Sequence, residues 1–199
     1  MQLNLRAGEP TEFAAFVLAA GWAAYGAILV LGKRGAARGD ARRDARSSAG
    51  FLLQCAAYGI CFLFPRTYFS PLLAMSQRSE AILAGVDIAL TVWSVWFCFA
   101  AARALGRQWA LMARVIEGHK LIREGPYAVV RNPIYLAMLG MLIATGLAVS
   151  RWQALGSATV VFAAGTAIRI RAEEQLLRET FGETFDDYAR SVPAFLPRL

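Results

Sequence analysis

The chain has 199 residues, of which 57% are hydrophobic and 18% are charged, and its formal net charge is +7. Soluble domains carry about 25% charged residues, and disordered chains combine high net charge with little apolar content. The composition excludes an intrinsically disordered chain and argues against a water-soluble globule. It favours an integral membrane protein.

Five apolar runs follow one another along the chain, each close to the length of a membrane-spanning helix, about 17–25 residues. The predicted spans are 13–31, 49–64, 81–102, 134–149 and 152–168. These runs are apolar on all sides, whereas strands of a membrane β-barrel alternate apolar and polar side chains. The sequence therefore predicts one all-α membrane domain over residues 1–199, with about five transmembrane helices.

The basic residues lie in polar segments between these runs, and their distribution predicts the orientation. Segments 32–48, 103–131 and 169–199 together hold 17 Lys and Arg residues, whereas the segments on the opposite side hold 4. Loops rich in Lys and Arg stay on the cytoplasmic side of a membrane. The expected topology is N-out and C-in, and the positive charge is assigned to the membrane rather than to nucleic acid. The Ala- and Arg-rich composition indicates a bacterial cytoplasmic membrane.

The connections between the later runs differ in length. Only Ser150 and Arg151 separate the fourth and fifth runs, which predicts an antiparallel helical hairpin. Segment 103–131 is much longer and alternates apolar and charged residues, which predicts an interfacial helix on the cytoplasmic face. The apolar residues of that predicted helix are Trp109, Leu111, Met112, Val115 and Ile116.

Several common functional motifs are absent from the sequence. It contains one His and three Cys, with no CxxC pair, which excludes a His-rich or paired-Cys metal site. The sequence also has neither a GxGxxG nucleotide-binding loop nor a GxSxG nucleophile elbow. No metal site is predicted.

Turn-forming and polar residues precede the fourth run. Gly125-Pro126 is a turn signal, and Asn132-Pro133 is typical of a helix start, with Asn at the N-cap and Pro at the first helical position. The first N–H groups of that helix, together with its positive dipole end, favour a carboxylate or a phosphate. This helix end is therefore a candidate binding position.

A second polar group continues the fifth run out of the membrane, and Gly182 predicts the end of that helix. Arg169 and Glu173 share one helix face, and the predicted hairpin brings them beside Asn132 and Tyr135. Polar groups that meet at membrane depth indicate a functional site. Taken singly, Arg169 is also explained as a flanking charge and Tyr135 as an interfacial aromatic residue. Asp87, inside the third run, is interpreted as a buried, hydrogen-bonded residue.

The order of motifs between residues 118 and 197 resembles that of the isoprenylcysteine carboxyl methyltransferase family and its bacterial relatives. The matching elements are His119-Lys120-Leu121-Ile122, Gly125-Pro126-Tyr127, Arg131-Asn132-Pro133-Ile134-Tyr135, Arg169 to Glu174, Phe181-Gly182-Glu183-Thr184-Phe185-Asp186-Asp187-Tyr188, and Val192-Pro193 to Leu196-Pro197. Asn132 stands where that family has His, and Phe185 stands in place of a Tyr. The first three runs match the family only in hydropathy.

The resemblance implies a small multi-pass membrane enzyme that uses S-adenosylmethionine. Its acceptor is lipophilic and enters from the bilayer, as a prenylcysteine-like carboxylate or a phenolic lipid does. The implied cofactor site lies on the cytoplasmic face and is built from segments 107–135 and 169–197, with Arg169 facing the acceptor. The implied cofactor-binding residues are His119, Lys120, Leu121, Ile122, Gly125, Tyr127, Asn132, Pro133, Ile134, Tyr135 and Glu173.

Two other functional classes stay open. A membrane reductase of the sterol type has a similar helical layout but binds a nicotinamide cofactor. A non-enzymatic accessory or transport protein is the other alternative, and the lack of an internal inverted repeat counts against a transporter. Binding of the two cofactors separates these classes.

Overall fold

The computed structural model of the chain describes residues 9–35, 42–43, 45–65, 77–106, 114–115 and 121–197. Within these ranges the chain is almost entirely helical. The helices are α1 (Glu9–Gly35), α2 (Ala45–Leu63), α3 (Gln77–Leu105), α4 (Pro133–Val149), α5 (Trp152–Phe181) and α6 (Glu183–Ser191). Each of the five predicted apolar runs forms most of one of the first five helices, because long apolar runs without Pro favour continuous helix.

Among the residues that the structure describes, three helical stretches are long and apolar enough to cross a membrane. They are Glu12–Gly32, Ala81–Leu105 and Trp152–Phe181, and the apolar α4 is a shorter helix. The remaining predicted span lies in α2, which begins with the polar residues Arg46, Ser47 and Ser48 and carries Gln54 at its centre. These residues lower the mean hydropathy of α2. The helices thus support a multi-pass membrane protein, and the count of five spans remains a prediction.

The helices pack in two groups that α4 joins. α3 packs against α1 and α4, and α5 packs most extensively against α2. One apolar cluster lies between α1, α3 and α4, and a second lies between α2, α4 and α5. Met138 of α4 and Phe195, which follows α6, pack against both clusters.

Two glycines allow α2 and α5 to approach closely. A Cβ atom on Gly50 would lie 2.6 Å from the carbonyl oxygen of Gly165, and a Cβ on Gly165 would lie 2.7 Å from the carbonyl oxygen of Gly50. Small residues at such crossings let helix backbones come together within a membrane. This crossing brings the first half of α2 against the middle of α5.

The predicted hairpin of α4 and α5 is confirmed. α4 ends at Val149 and α5 begins at Trp152, so Ser150 and Arg151 are the whole connection. The Ser150 hydroxyl donates a hydrogen bond of 2.6 Å to the carbonyl of Cys61, which ties this turn to the end of α2. At the other end of α5, Gly182 has a φ of 53° and ends the helix, as predicted.

The predicted interfacial helix of segment 103–131 is wrong where the structure describes it. Arg114–Val115 is extended and pairs antiparallel with Arg42–Arg43. The pairing partner lies about 70 residues earlier, and such a long-range backbone contact overrides the local amphipathic pattern. Residues 107–113 and 116–120 of the predicted helix lie outside the described residues.

Asp87 is buried as predicted, but its predicted hydrogen bonding is wrong. Neither of its carboxylate oxygens has a hydrogen-bond partner among the described residues, and the same holds for the hydroxyls of Thr91 and Ser94 on the same face of α3. The facing helices present glycines to this face, Gly21 against Thr91 and Gly140 against Ser94. Glycines contribute no side-chain acceptor or donor, so the hydroxyls gain no partner from them.

Candidate functional site

The turn before α4 has the predicted form. Gly125 has a φ of 59°, and Gly125–Ala128 forms one turn of 3-10 helix with Pro126 in its first turn. Only glycine adopts this backbone conformation without steric cost. The turn buries the Tyr127 side chain and leads into α4, which starts at Pro133 with Asn132 at the N-cap position.

Asn132 occupies the N-cap position but does not cap the helix with its side chain. Its Nδ2 atom instead donates a hydrogen bond of 2.8 Å to the carbonyl of Ala194. The expectation that the Asn132 side chain caps α4 is therefore wrong, because the residues after α6 offer it a backbone acceptor. The backbone N–H groups in the first turn of α4 consequently receive no hydrogen bond acceptor from the Asn132 side chain.

Arg131 holds the segment after α6 against the start of α4. Its Nε atom donates to Glu174 at 2.9 Å, and one guanidinium nitrogen donates to the carbonyls of Ala189, at 2.9 Å, and Val192. Its backbone N–H donates to the carbonyl of Pro193 at 2.9 Å. Glu174 therefore has a structural partner and is not simply a solvated residue of a helix end.

The side chain of Arg169 is the centre of the polar cluster. It is 2% exposed, and its Nη1 atom donates a hydrogen bond of 2.9 Å to the Oε1 atom of Gln54. Its Nη2 atom lies 3.7 Å from Oε1 of Glu173, one turn further along α5. The guanidinium carbon is 4.9 Å from the ring centre of Tyr135 and 5.5 Å from that of Phe51. Two aromatic rings thus flank a buried cation, an arrangement that stabilises the charge.

Two tyrosines surround Glu173. The hydroxyl of Tyr135 donates a hydrogen bond to Oε1 of Glu173, the same oxygen that faces Arg169. Burial raises the pKa of Tyr127 well above its ordinary value, and the nearby Glu173 carboxylate raises it further. Tyr127 is held in place by Tyr188, whose hydroxyl donates a hydrogen bond of 2.6 Å to the Tyr127 carbonyl. Burial also raises the pKa of Tyr188, to about 12.

The structure brings together four of the residues that sequence analysis selected: Tyr127, Tyr135, Arg169 and Glu173. Leu121 and Ile122 are half-buried in the segment that precedes the turn, and the Ile134 carbonyl lies 3.5 Å from the Tyr25 hydroxyl that donates to it. His119 and Lys120 lie outside the described residues. The binding of a cofactor by these residues remains a prediction.

Sequence analysis missed two residues of this cluster, Gln54 and Phe51, both on α2. Gln54 is 1% exposed, and its Nε2 atom donates a hydrogen bond of 2.9 Å to the Thr166 hydroxyl. One signal was available in the sequence, because Gln54 interrupts an apolar run with an amide. A polar side chain inside such a run requires a hydrogen-bond partner in the membrane.

A comparison with protein families identifies the chain. The model of the phospholipid methyltransferase family matches residues 82–184, more than half of the sequence. The chain belongs to the phospholipid methyltransferase family. The matched region contains the turn before α4, α4 itself and α5, and therefore Tyr127, Tyr135, Arg169 and Glu173. α2, with Gln54 and Phe51, precedes the matched region of this family.

Individual proteins that are similar to this chain carry names that refer to different functions. Over 98 residues the chain is 37% identical to the nickel-cobalt-cadmium resistance protein NccN of Alcaligenes xylosoxydans xylosoxydans, covering 48% of this chain and 45% of that protein. Over 81 residues it is 33% identical to the protein-S-isoprenylcysteine O-methyltransferase B of Arabidopsis thaliana, covering 41% of each. Each match thus spans less than half of the relative's own length. The resemblance to isoprenylcysteine methyltransferases is confirmed at the level of the family.

Proposed function

We propose that the protein is an S-adenosylmethionine-dependent methyltransferase that methylates a lipophilic acceptor taken from the bilayer. The observation that carries this proposal is the cluster formed by the buried Arg169 and Tyr135 with the half-buried Glu173. It lies inside the region that matches the methyltransferase family, at the open end of the α4–α5 hairpin. An ionic cluster at this place in two apolar helices is costly, which favours a functional reason for it.

The described residues fit the proposed cofactor. Its polar parts are an amino group, a carboxylate and ribose hydroxyls, and it is positively charged at sulfur. Glu173 offers a carboxylate to the amino group or the hydroxyls, and the first turn of α4 offers N–H groups that Asn132 leaves uncapped to the carboxylate. When bound, the cofactor supplies a methyl group that is activated by the sulfonium charge.

In this proposal Arg169 binds and orients the acceptor. A guanidinium presents several N–H donors in a plane, so it can hold two acceptor oxygens in a defined direction. The rings of Tyr135 and Phe51 lie close to the guanidinium and help to keep water away from it. A carboxylate acceptor is already ionised near neutral pH and needs no base, whereas a phenol, with a pKa of about 10, loses a proton during transfer.

The orientation is part of the proposal. N-out, C-in topology places the cluster on the cytoplasmic side of the bacterial membrane, where a soluble cofactor is supplied. Single cysteines at Ser48 and Ser191, in a background without native cysteines, are expected to react with an impermeant thiol reagent only from the cytoplasmic side. A Gln153→Cys variant, next to the α4–α5 turn, is expected to react only from outside. The reverse pattern refutes this orientation.

A transfer assay tests the function directly. The purified full chain is incubated with methyl-labelled S-adenosylmethionine and, separately, prenyl thioether carboxylates, phenolic lipids and quinones. Transfer of label to one of these classes is expected, and it identifies the acceptor. Binding of a nicotinamide cofactor, without binding of S-adenosylmethionine, contradicts the proposal and favours a reductase.

A further inference from the structure

We propose that Gln54 of α2 is a positioning residue that sets the direction of the Arg169 guanidinium. This inference rests on the proposed function, because the direction of Arg169 matters only if Arg169 holds the acceptor. Three observations carry it: the two hydrogen bonds of the Gln54 amide, its burial, and the close contact of α2 with α5 at this point.

Both the oxygen and the NH2 group of the Gln54 amide form hydrogen bonds. Its carbonyl oxygen accepts from Nη1 of Arg169, and its NH2 group donates to the hydroxyl of Thr166, each at 2.9 Å. Because Arg169 can only donate, the amide oxygen must face Arg169, and the NH2 group is left to donate to the Thr166 hydroxyl. A side chain that both donates and accepts is required for this relay, and Gln and Asn are the residues that supply an amide.

Arg169 needs such support because its side chain is long and rotatable. Holding an acceptor in line with a donor requires the binding group to keep its direction within a small angle. The contact with Glu173 comes from the same helix, and the ring of Tyr135 contacts the face of the guanidinium. Gln54 adds a hydrogen bond in the guanidinium plane from a different helix, which fixes the remaining rotation.

The position of Gln54 has a consequence for specificity. The family match begins at residue 82, after α2, so the residue that orients Arg169 comes from outside the matched region. A change on α2 can therefore redirect Arg169 while the matched residues stay the same. We expect Gln54 to affect the use of the acceptor and to leave binding of the donor unchanged.

The experiment compares variants of the purified full chain. Gln54→Leu removes both hydrogen bonds, Thr166→Val removes the acceptor of the amide NH2 group, and Gln54→Glu keeps an oxygen facing Arg169. Tyr58→Phe is the matched control, because Tyr58 lies one turn along the same helix and donates to the Met138 carbonyl instead. Each variant is measured for kcat/KM with the acceptor, for donor affinity by calorimetry and for thermal stability.

The expected result is specific to the acceptor. Gln54→Leu lowers kcat/KM for the acceptor by about tenfold or more, the effect of losing a hydrogen bond to a charged group. Gln54→Glu and Thr166→Val cause smaller losses, and donor affinity stays within about twofold for every variant. Adding Gln54→Leu to Arg169→Lys causes little further loss, because two residues that act as one unit are not additive.

Three outcomes overturn the inference. In the first, Gln54→Leu has the same activity as Tyr58→Phe. In the second, Gln54→Leu weakens donor binding and acceptor use equally, and in the third the losses of the double variant are fully multiplicative. Each of these results shows that Gln54 only packs. If Gln54→Leu does not fold, a folded Gln54→Met variant that keeps full acceptor use rejects the inference, because Met also lacks both hydrogen bonds of the amide. A wild-type chain that methylates no acceptor refutes the proposed function instead, so the two failures are distinguishable.

Discussion

Arg169 and Asp87 are both charged residues buried among the helices, but their surroundings differ. Arg169 is paired with Gln54 and Glu173, whereas neither oxygen of Asp87 has a hydrogen-bond partner in the part of the chain that the structure describes. Removing one partner of a buried pair is strongly destabilising, whereas an unpaired buried charge is itself a cost. Burial of a charged residue therefore does not by itself indicate a functional site. The hydrogen bonds and ion pairs that link Arg169 to its neighbours are the stronger indication.

The helix contacts beside the two residues differ in the same way. Next to Arg169, Gly50 faces the backbone of α5, which cannot move aside. About two turns along α3 from Asp87, Gly140 faces the hydroxyl of Ser94, whose side chain can rotate about one bond. The cluster around Arg169 thus lies at a helix crossing where backbone meets backbone. On the polar face of α3, by contrast, a side chain can move to relieve a close contact.

The largest expected effect is a contrast between these two charges. Arg169→Ala is expected to lower turnover at least about a hundredfold, because it removes the guanidinium that is proposed to orient the acceptor; a hundredfold loss corresponds to ~2.7 kcal/mol of transition-state stabilisation. Asp87→Asn is expected to change turnover by less than about threefold. Steady-state methyl transfer measures both. A large loss of turnover with Asp87→Asn would contradict this contrast, because it would show that Asp87 also takes part in the reaction.

The second effect concerns the carboxylate of the cluster. Glu173→Gln is expected to weaken S-adenosylmethionine binding by ~1.5–3 kcal/mol, the range for a hydrogen bond to a charged group. Glu183→Gln, an exposed residue at the start of α6, is the control with unchanged affinity. Calorimetry with the folded variants measures the difference. Equal affinities for the two variants would remove Glu173 from the cofactor site.

The third effect compares the two glycine contacts. Gly50→Ala is expected to lower the free energy of unfolding by ~1–3 kcal/mol, because its new methyl group meets the carbonyl of Gly165. Gly140→Ala is expected to cost less, about 1 kcal/mol, because Ser94 can rotate. Gly59→Ala, on the same helix as Gly50 but facing open space, is the control. A shift of 1 kcal/mol moves the melting temperature by about 2–4 °C at this chain length, and the reverse order of shifts would contradict the contrast between the two glycine contacts.

The smallest effect is expected on the unpaired hydroxyls. Thr91→Val and Ser94→Ala each replace a buried hydroxyl that has no hydrogen-bond partner among the described residues by an apolar group. Such replacements are neutral or stabilising, by up to about 1 kcal/mol. Thermal melting in one detergent is the measurement. Clear destabilisation by Thr91→Val would show that its hydroxyl has a partner in the membrane-embedded protein.

Sequence reasoning predicted the helices because their apolar runs are long and their boundaries are marked. Pro133 begins α4 and Gly182 ends α5 where the local signals place them. The meeting of Tyr135 with Glu173 was also predictable, since a two-residue connection leaves α4 and α5 only an antiparallel arrangement.

The parts that sequence reasoning missed depend on contacts between distant segments. Gln54 reaches Arg169 only because Gly50 and Gly165 let two helices approach, and hydropathy does not report which faces of two apolar helices meet. Asn132 was correctly placed at the start of α4, but its side chain binds Ala194, 62 residues later. The short strand at Arg114–Val115 likewise depends on a distant partner.

The relay through Gln54 also constrains the order in which the chain is made. Gln54 lies 112 residues before Thr166 and 115 before Arg169, so it is synthesised well ahead of both partners. At about 5–20 residues per second, that interval is on the order of ten seconds. During it, the amide of α2 must be accommodated by water, by the insertion machinery or by another chain, because lipid offers it no hydrogen bond. Once α5 is synthesised and packs against α2, Thr166 and Arg169 supply the hydrogen-bond partners of the Gln54 amide.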